Sequence, residues 1–136
     1  MKINGACFCG HITYEAVIDP GKVAICHCTD CQINSGTAYG VVAGVVDDQF
    51  EVLSGTLKTF TKIADSGASR ELAFCPECGT RIYAKPADAG SEFFGLRAGT
   101  ITQRDQLKPR YQLWMGSALD WTMDLSAIPQ FEKQRS

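Results

Sequence analysis

Seven cysteines in three tight groups constrain this chain more than any other feature: Cys7-Phe8-Cys9, Cys26-His27-Cys28-Thr29-Asp30-Cys31 and Cys75-Pro76-Glu77-Cys78. Core packing has no use for thiols at such intervals. A metal site does, because C-x-C and C-x-x-C spacings let one short segment present two sulfurs to one ion. A disulfide framework fits less well, since seven is odd. The first residues, Met1-Lys2-Ile3-Asn4-Gly5, do not read as an apolar secretion signal either. The chain is expected to be cytoplasmic, where thiols stay reduced.

The remaining composition narrows the partners. The 136 residues are 45% hydrophobic and 21% charged, which suits a single globular domain spanning 1–136 with a real core. The formal net charge is −2 and no basic block occurs, so neither nucleic acid nor an anionic membrane is an expected partner. No apolar run approaches the roughly 18 residues of a membrane span.

The local pattern is that of short strands. Residues 12–17 are rich in strand formers, and Asp19-Pro20-Gly21 reads as a turn after them. Residues 22–26 lead into the cysteine triplet, whose segment has room for one helical turn before Asn34-Ser35-Gly36. Residues 38–46 form an apolar run with bends at Gly40 and Gly44. Residues 49–53 and 57–62, joined by Ser54-Gly55, read as a hairpin, 64–69 as a polar loop, and 92–98 as a further strand. Helical periodicity is not sustained beyond about two turns. The expected class is mainly β: small antiparallel sheets pinned by zinc. The alternative is an α+β domain whose helices carry no clear period.

Cys75-Pro76-Glu77-Cys78-Gly79 has the chemistry of a ligand turn. Proline presets the backbone, and glycine accepts positive φ after the second ligand. In an extended Cys7-Phe8-Cys9, residues two apart face the same way. Together the four thiolates make a closed zinc tetrahedron. Cys26, Cys28 and Cys31 supply three sulfurs, which leaves a fourth position for water or substrate, as in catalytic zinc sites. A fourth protein ligand would instead close that site and make it structural. His27 lies between two ligands and is expected to point away from the metal; His11 is expected to be an ordinary strand residue. A competing partition joins Cys28 and Cys31 to Cys75 and Cys78 as a zinc ribbon. Its gap of 43 residues exceeds the usual ~15–20, and it strands the other three thiols.

Among other residues, Asp30 suits a proton relay or, more simply, a turn cap. Tyr39 suits a hydrogen-bond donor or a core position. Trp114 and Trp121 suit a pocket wall, core or oligomer contact, and Asp47-Asp48 suits a solvated turn.

Cys7-x-Cys9-Gly10, Cys26-His27-Cys28-x-x-Cys31 and Phe74-Cys75-x-x-Cys78-Gly79, with Gly36, Gly55, Gly99-Thr100, Pro109 and Trp121, resemble the glutathione-dependent formaldehyde-activating (GFA) enzyme family from about residue 7 to 121. The resemblance implies a zinc-binding β-tent fold. It implies structural zinc on Cys7, Cys9, Cys75 and Cys78, and catalytic zinc on Cys26, Cys28 and Cys31. It also implies a carbon–sulfur lyase that forms or cleaves S-hydroxymethylglutathione from formaldehyde and glutathione. Two departures stand out. Gln32 follows the triplet where many members carry arginine. Leu72 occupies another common arginine position, with Arg70 two residues earlier. An anionic thiol with two carboxylates, such as glutathione, wants basic partners, for which Arg70, Arg81, Arg97 and Lys62 are the candidates.

Overall fold

The computed structural model describes residues 1–63, 67–87 and 93–135. The expected loop at 64–69 and the start of the strand at 92–98 therefore fall partly outside the described residues. Mainly β architecture is observed, with eight strands and one short α-helix among the described residues. The strands are β1 (Lys2–Ala6), β2 (Thr13–Cys26), β3 (Gly40–Ser54), β4 (Lys58–Ile63), β5 (Ser69–Phe74), β6 (Arg81–Pro86), β7 (Gly95–Arg97) and β8 (Tyr111–Leu113). Helix α1 (Thr29–Ser35) lies between β2 and β3. The sheet order is β1-β2-β3-β7-β6-β5-β4, antiparallel throughout, with β8 added parallel to β2.

β2 and β3 are its spine. Alternation puts Tyr14, Ala16 and Ile18 inside. The expected turn at Asp19-Pro20-Gly21 is instead a bulge within β2: pairing with β3 breaks after Asp19↔Gly44 and resumes at Val23↔Ala43. The Gly21 N–H folds back onto Asp19 Oδ1 at 2.8 Å. A turn sequence does not end the strand here because β3 is long enough to pair beyond it. Asp47 and Asp48, with φ of 47° and 55°, kink β3 at a second irregularity, between Ile18↔Val45 and Ala16↔Phe50, rather than forming a free turn.

The expected hairpin over 49–62 does not form. The end of β3 pairs with β2, through Tyr14↔Val52 and Thr13↔Ser54, while β4 crosses to β5. Gly55 does turn the chain, at φ 81°. However, a Cβ there would stand 2.5 Å from the His11 carbonyl oxygen and 2.7 Å from Ile12. The turn is thus packed against the start of β2, and the chain leaves sideways. β1 is a strand the pattern reading missed, being short and broken by Gly5.

Ile12, Tyr14, Ile18, Val23, Ile82, Leu96 and Ile101 are fully buried. Phe50 bridges Tyr14 and Phe94 at centroid distances of 5.2 and 5.5 Å, and Phe94 meets Tyr83 at 4.9 Å. This core holds β2, β3, β6 and β7 in fixed relation, and the cysteine groups sit where those strands end. Trp114 and Trp121 are exposed, which removes them from the core. Among the described residues no helix is long and apolar enough to cross a membrane.

Candidate metal centres

Two cysteine groups assemble, each with its sulfurs within 4.8 Å of one another: Cys7, Cys9, Cys75 and Cys78, and separately Cys26, Cys28 and Cys31. The ribbon partition is not what the chain forms.

The first group is built from two matching turns. After β1, the Gly10 N–H donates to the Cys7 carbonyl at 3.2 Å, with Gly10 at φ 82°. After β5, the Gly79 N–H donates to the Cys75 carbonyl at 2.9 Å, with Gly79 at φ 77°. Cys7-Phe8-Cys9 is therefore a turn and not the extended segment expected; Gly10 is the residue that allows it. Phe8 N–H bonds Thr80 Oγ1 at 3.1 Å and ties the two turns together. Sγ of Cys9 lies 3.6 Å from Cys7 Sγ and 3.8 Å from Cys75 Sγ. Those are edges of a tetrahedron whose metal–sulfur bonds are near 2.3 Å, for which geometry requires about 3.8 Å. The sulfurs are further satisfied by N–H donors from Ile12 to Cys7 at 3.2 Å and from Glu77 to Cys75 at 3.4 Å. Thr80 holds Cys78 Sγ at 3.1 Å, and its hydrogen bonds push the Cys78 thiol down to about 5.

The second group spans the exit of β2 and the start of α1. Cys26 ends the strand, Cys28 is the N-cap, and Cys31 sits in the first turn. The Cys31 N–H donates to Cys28 Sγ at 3.3 Å, so a ligand thiol does the capping that serine or aspartate usually does. Gly36, at φ 68°, closes the helix. Among the described residues no fourth Cys, His, Asp or Glu joins this group. Asp30 faces outward to an ion pair with Lys62 at 3.2 Å. His27 is buried and directed elsewhere: its Nε2 meets Gln112 Oε1 at 2.8 Å, its ring stands edge-on to Tyr39, and its Nδ1 has no partner. His11 lies in the loop before β2, exposed, with its carbonyl accepting from Ser54.

The electrostatics of the triplet are unequal. Its hydrogen bond with Cys26 and the positive charge of Arg97 push the Cys31 thiol down to about 5, against the opposing effect of burial. Cys26 is pushed the other way, by the same contact with Cys31 and by its burial.

Several supports were not foreseen. Gln32 donates to the carbonyls of His27 and Ser117 at 2.9 and 3.0 Å. The Ser117 hydroxyl donates to the same His27 carbonyl at 2.9 Å. Ser117 lies 85 residues from Gln32 and 90 from His27, and no local motif marks it. Of the basic candidates, Arg97 comes from the end of β7 and is buried, Arg81 donates to the Gly79 carbonyl at 2.6 Å, and Arg70 bonds the Phe93 carbonyl. A cleft of about 530 Å³ runs from Cys7, Phe8, Thr80 and Arg81 to Tyr39, Gly40 and Arg97.

A crystal structure of a Rhodobacter sphaeroides protein shares this fold. It is 17% identical, with a TM-score of 0.61, over 80% of this chain and 98% of that one. The family model described as glutathione-dependent formaldehyde-activating enzyme matches residues 2–117, which takes in all seven cysteines. The chain belongs to that family.

Proposed function

We propose that the chain is a zinc-dependent carbon–sulfur lyase that interconverts a thiol–aldehyde adduct, such as S-hydroxymethylglutathione, with the free thiol and formaldehyde. The observation that carries this reading is the unequal donor count: four thiols in one group and three in the other, with no fourth protein donor among the described residues. The four-cysteine group would hold a structural zinc and the triplet a catalytic one. Bound there, zinc supplies an open coordination position and the positive charge that stabilises a thiolate.

The chain's own residues do the rest. Cys26, Cys28 and Cys31 hold the metal, and the Gln32 and Ser117 hydrogen bonds to His27 fix the backbone between the first two. His27 itself is fixed by Gln112. The cleft that reaches Tyr39, Gly40 and Arg97 takes the remainder of the thiol, with Arg81 among its lining residues as a partner for a carboxylate. In the cleavage direction the hydroxyl O–H of RS–CH2–OH gives up its proton, the C=O bond forms, and the C–S electron pair leaves on sulfur. The proton ends on the thiol, so RS–CH2–OH becomes RSH and CH2O. In the other direction the thiolate is the nucleophile.

The test is metal analysis paired with turnover. The wild type should carry two zinc per chain. Cys28→Ser should lose one zinc and at least 100-fold in activity while remaining folded. Cys75→Ser should lose stability. Equal unfolding by both variants would favour a binding module with two structural zincs.

A further inference from the structure

Arg97 is a buried cation without a counter-charge among the carboxylates. Its side chain is 9% exposed. Nη2 donates to Asn34 Oδ1 at 3.0 Å, a neutral acceptor on α1. Nε and Nη1 have no hydrogen-bond partner and are shut off from solvent. The ion pairs among the described residues are Lys62–Asp30 and Lys85–Glu71, so none involves it. A desolvated guanidinium in that state is costly unless an anion lies close. The group that answers is the triplet. A Cβ placed on Gly40 would stand 2.5 Å from Arg97 Nη1 and 3.6 Å from Cys31 Sγ. The cation and the sulfur therefore meet around bare glycine backbone, where any larger residue would part them.

The two cysteine groups differ here in a telling way. The four-cysteine group dresses its sulfurs with the N–H donors of Ile12 and Glu77 and with Thr80. At the triplet the Cys31 N–H donates to Cys28 Sγ, and Arg97 lies beside Cys31. Three thiolates around a divalent cation leave one net negative charge, and a fourth anionic ligand makes it two. Repulsion opposes that step unless a fixed positive charge sits alongside.

We propose that Arg97 is the charge partner of the triplet site, a positioning residue that lets a fourth, anionic sulfur ligand join the three thiolates. It does not clamp a carboxylate of the substrate, because Nε and Nη1 are shut off from solvent and Nη1 lies beside Gly40 on the Cys31 side. This rests on the lyase reading of the triplet and says what makes that site accept a thiolate.

The experiment uses cobalt-loaded protein, titrated with glutathione and with uncharged 2-mercaptoethanol, following the sulfur-to-cobalt charge-transfer absorption. Arg97→Met should weaken uptake of both thiols tenfold or more. It should also raise the pH of half-uptake by about one unit, the same tenfold, with cobalt content unchanged. Arg97→Lys should stay within about threefold of wild type for both thiols. If Arg97→Met fails to fold, Arg97→Lys and Asn34→Ala carry the test. The lysine should preserve uptake, and the alanine, which frees the guanidinium from α1, should weaken it moderately. Uptake by Arg97→Met equal to wild type, a loss confined to glutathione, or a lysine variant as weak as methionine would overturn the proposal. If wild type takes up neither thiol, the lyase reading falls and the proposal with it. Normal uptake by wild type with no effect of Arg97 sinks the proposal alone.

Discussion

Glycines mark the places where single atoms decide this structure. A Cβ on Gly5 would run into the Tyr14 ring and the Thr100 carbonyl, in the middle of a β1–β2 pair. Gly5→Ala should therefore destabilise the fold by roughly 1–3 kcal/mol, read as a lower midpoint in urea unfolding with unchanged slope. The Cys75–Cys78 ligand turn was legible from sequence because its chemistry is local: two thiols, a short gap and a glycine that takes positive φ. The Cys7-Phe8-Cys9 turn was not, since its spacing also suits an extended segment. Arg97 stood only as one of four basic candidates. Its partners, Asn34 and Cys31, come from α1 while it comes from β7, and a contact across the fold leaves no mark on either segment. That His27 points away from the metal was legible, but its burial and its hold on Gln112 were not, for the same reason.

Strand identity was easier to read than strand pairing. The apolar run after Gly36 did become β3, and the triplet segment did contain a short helix. The hairpin over 49–62 failed because a turn signal says that the chain bends, not where it goes next. Ser54 is taken by Thr13 through a hydroxyl contact of 2.6 Å, which spends the end of β3 on β2. Helix α1 depends on a similar cross-link. Gln32→Ala removes two hydrogen bonds, and about 1–2 kcal/mol should follow, seen as faster amide exchange across 29–36 and near Ser117. The β2 core also makes a pH prediction. Burial raises the Tyr14 hydroxyl from its usual 10.0 to about 12, against the hydrogen bond with Thr100. A raised folded-state value means the contribution is intact below pH 10 and lost as pH rises toward 12. Unfolding experiments should show wild type losing stability across that window, and Tyr14→Phe losing less.

The sheet brings together cysteines from three distant stretches of chain and sorts them four and three. Sequence alone reached that partition because the rival ribbon left three thiols unused. Family membership then names the chemistry of the class. What no pattern shows is where the neighbouring donors go: Asp30 is turned out to Lys62 and His27 is turned in to Gln112, so neither joins the triplet. On the proposed lyase reading, a thiol substrate supplies the fourth donor. A crystal structure of the zinc-loaded protein soaked with glutathione tests it most directly. The glutathione sulfur should lie about 2.3 Å from the metal held by Cys26, Cys28 and Cys31. A fourth protein ligand on that metal, or glutathione bound away from the triplet, would contradict it.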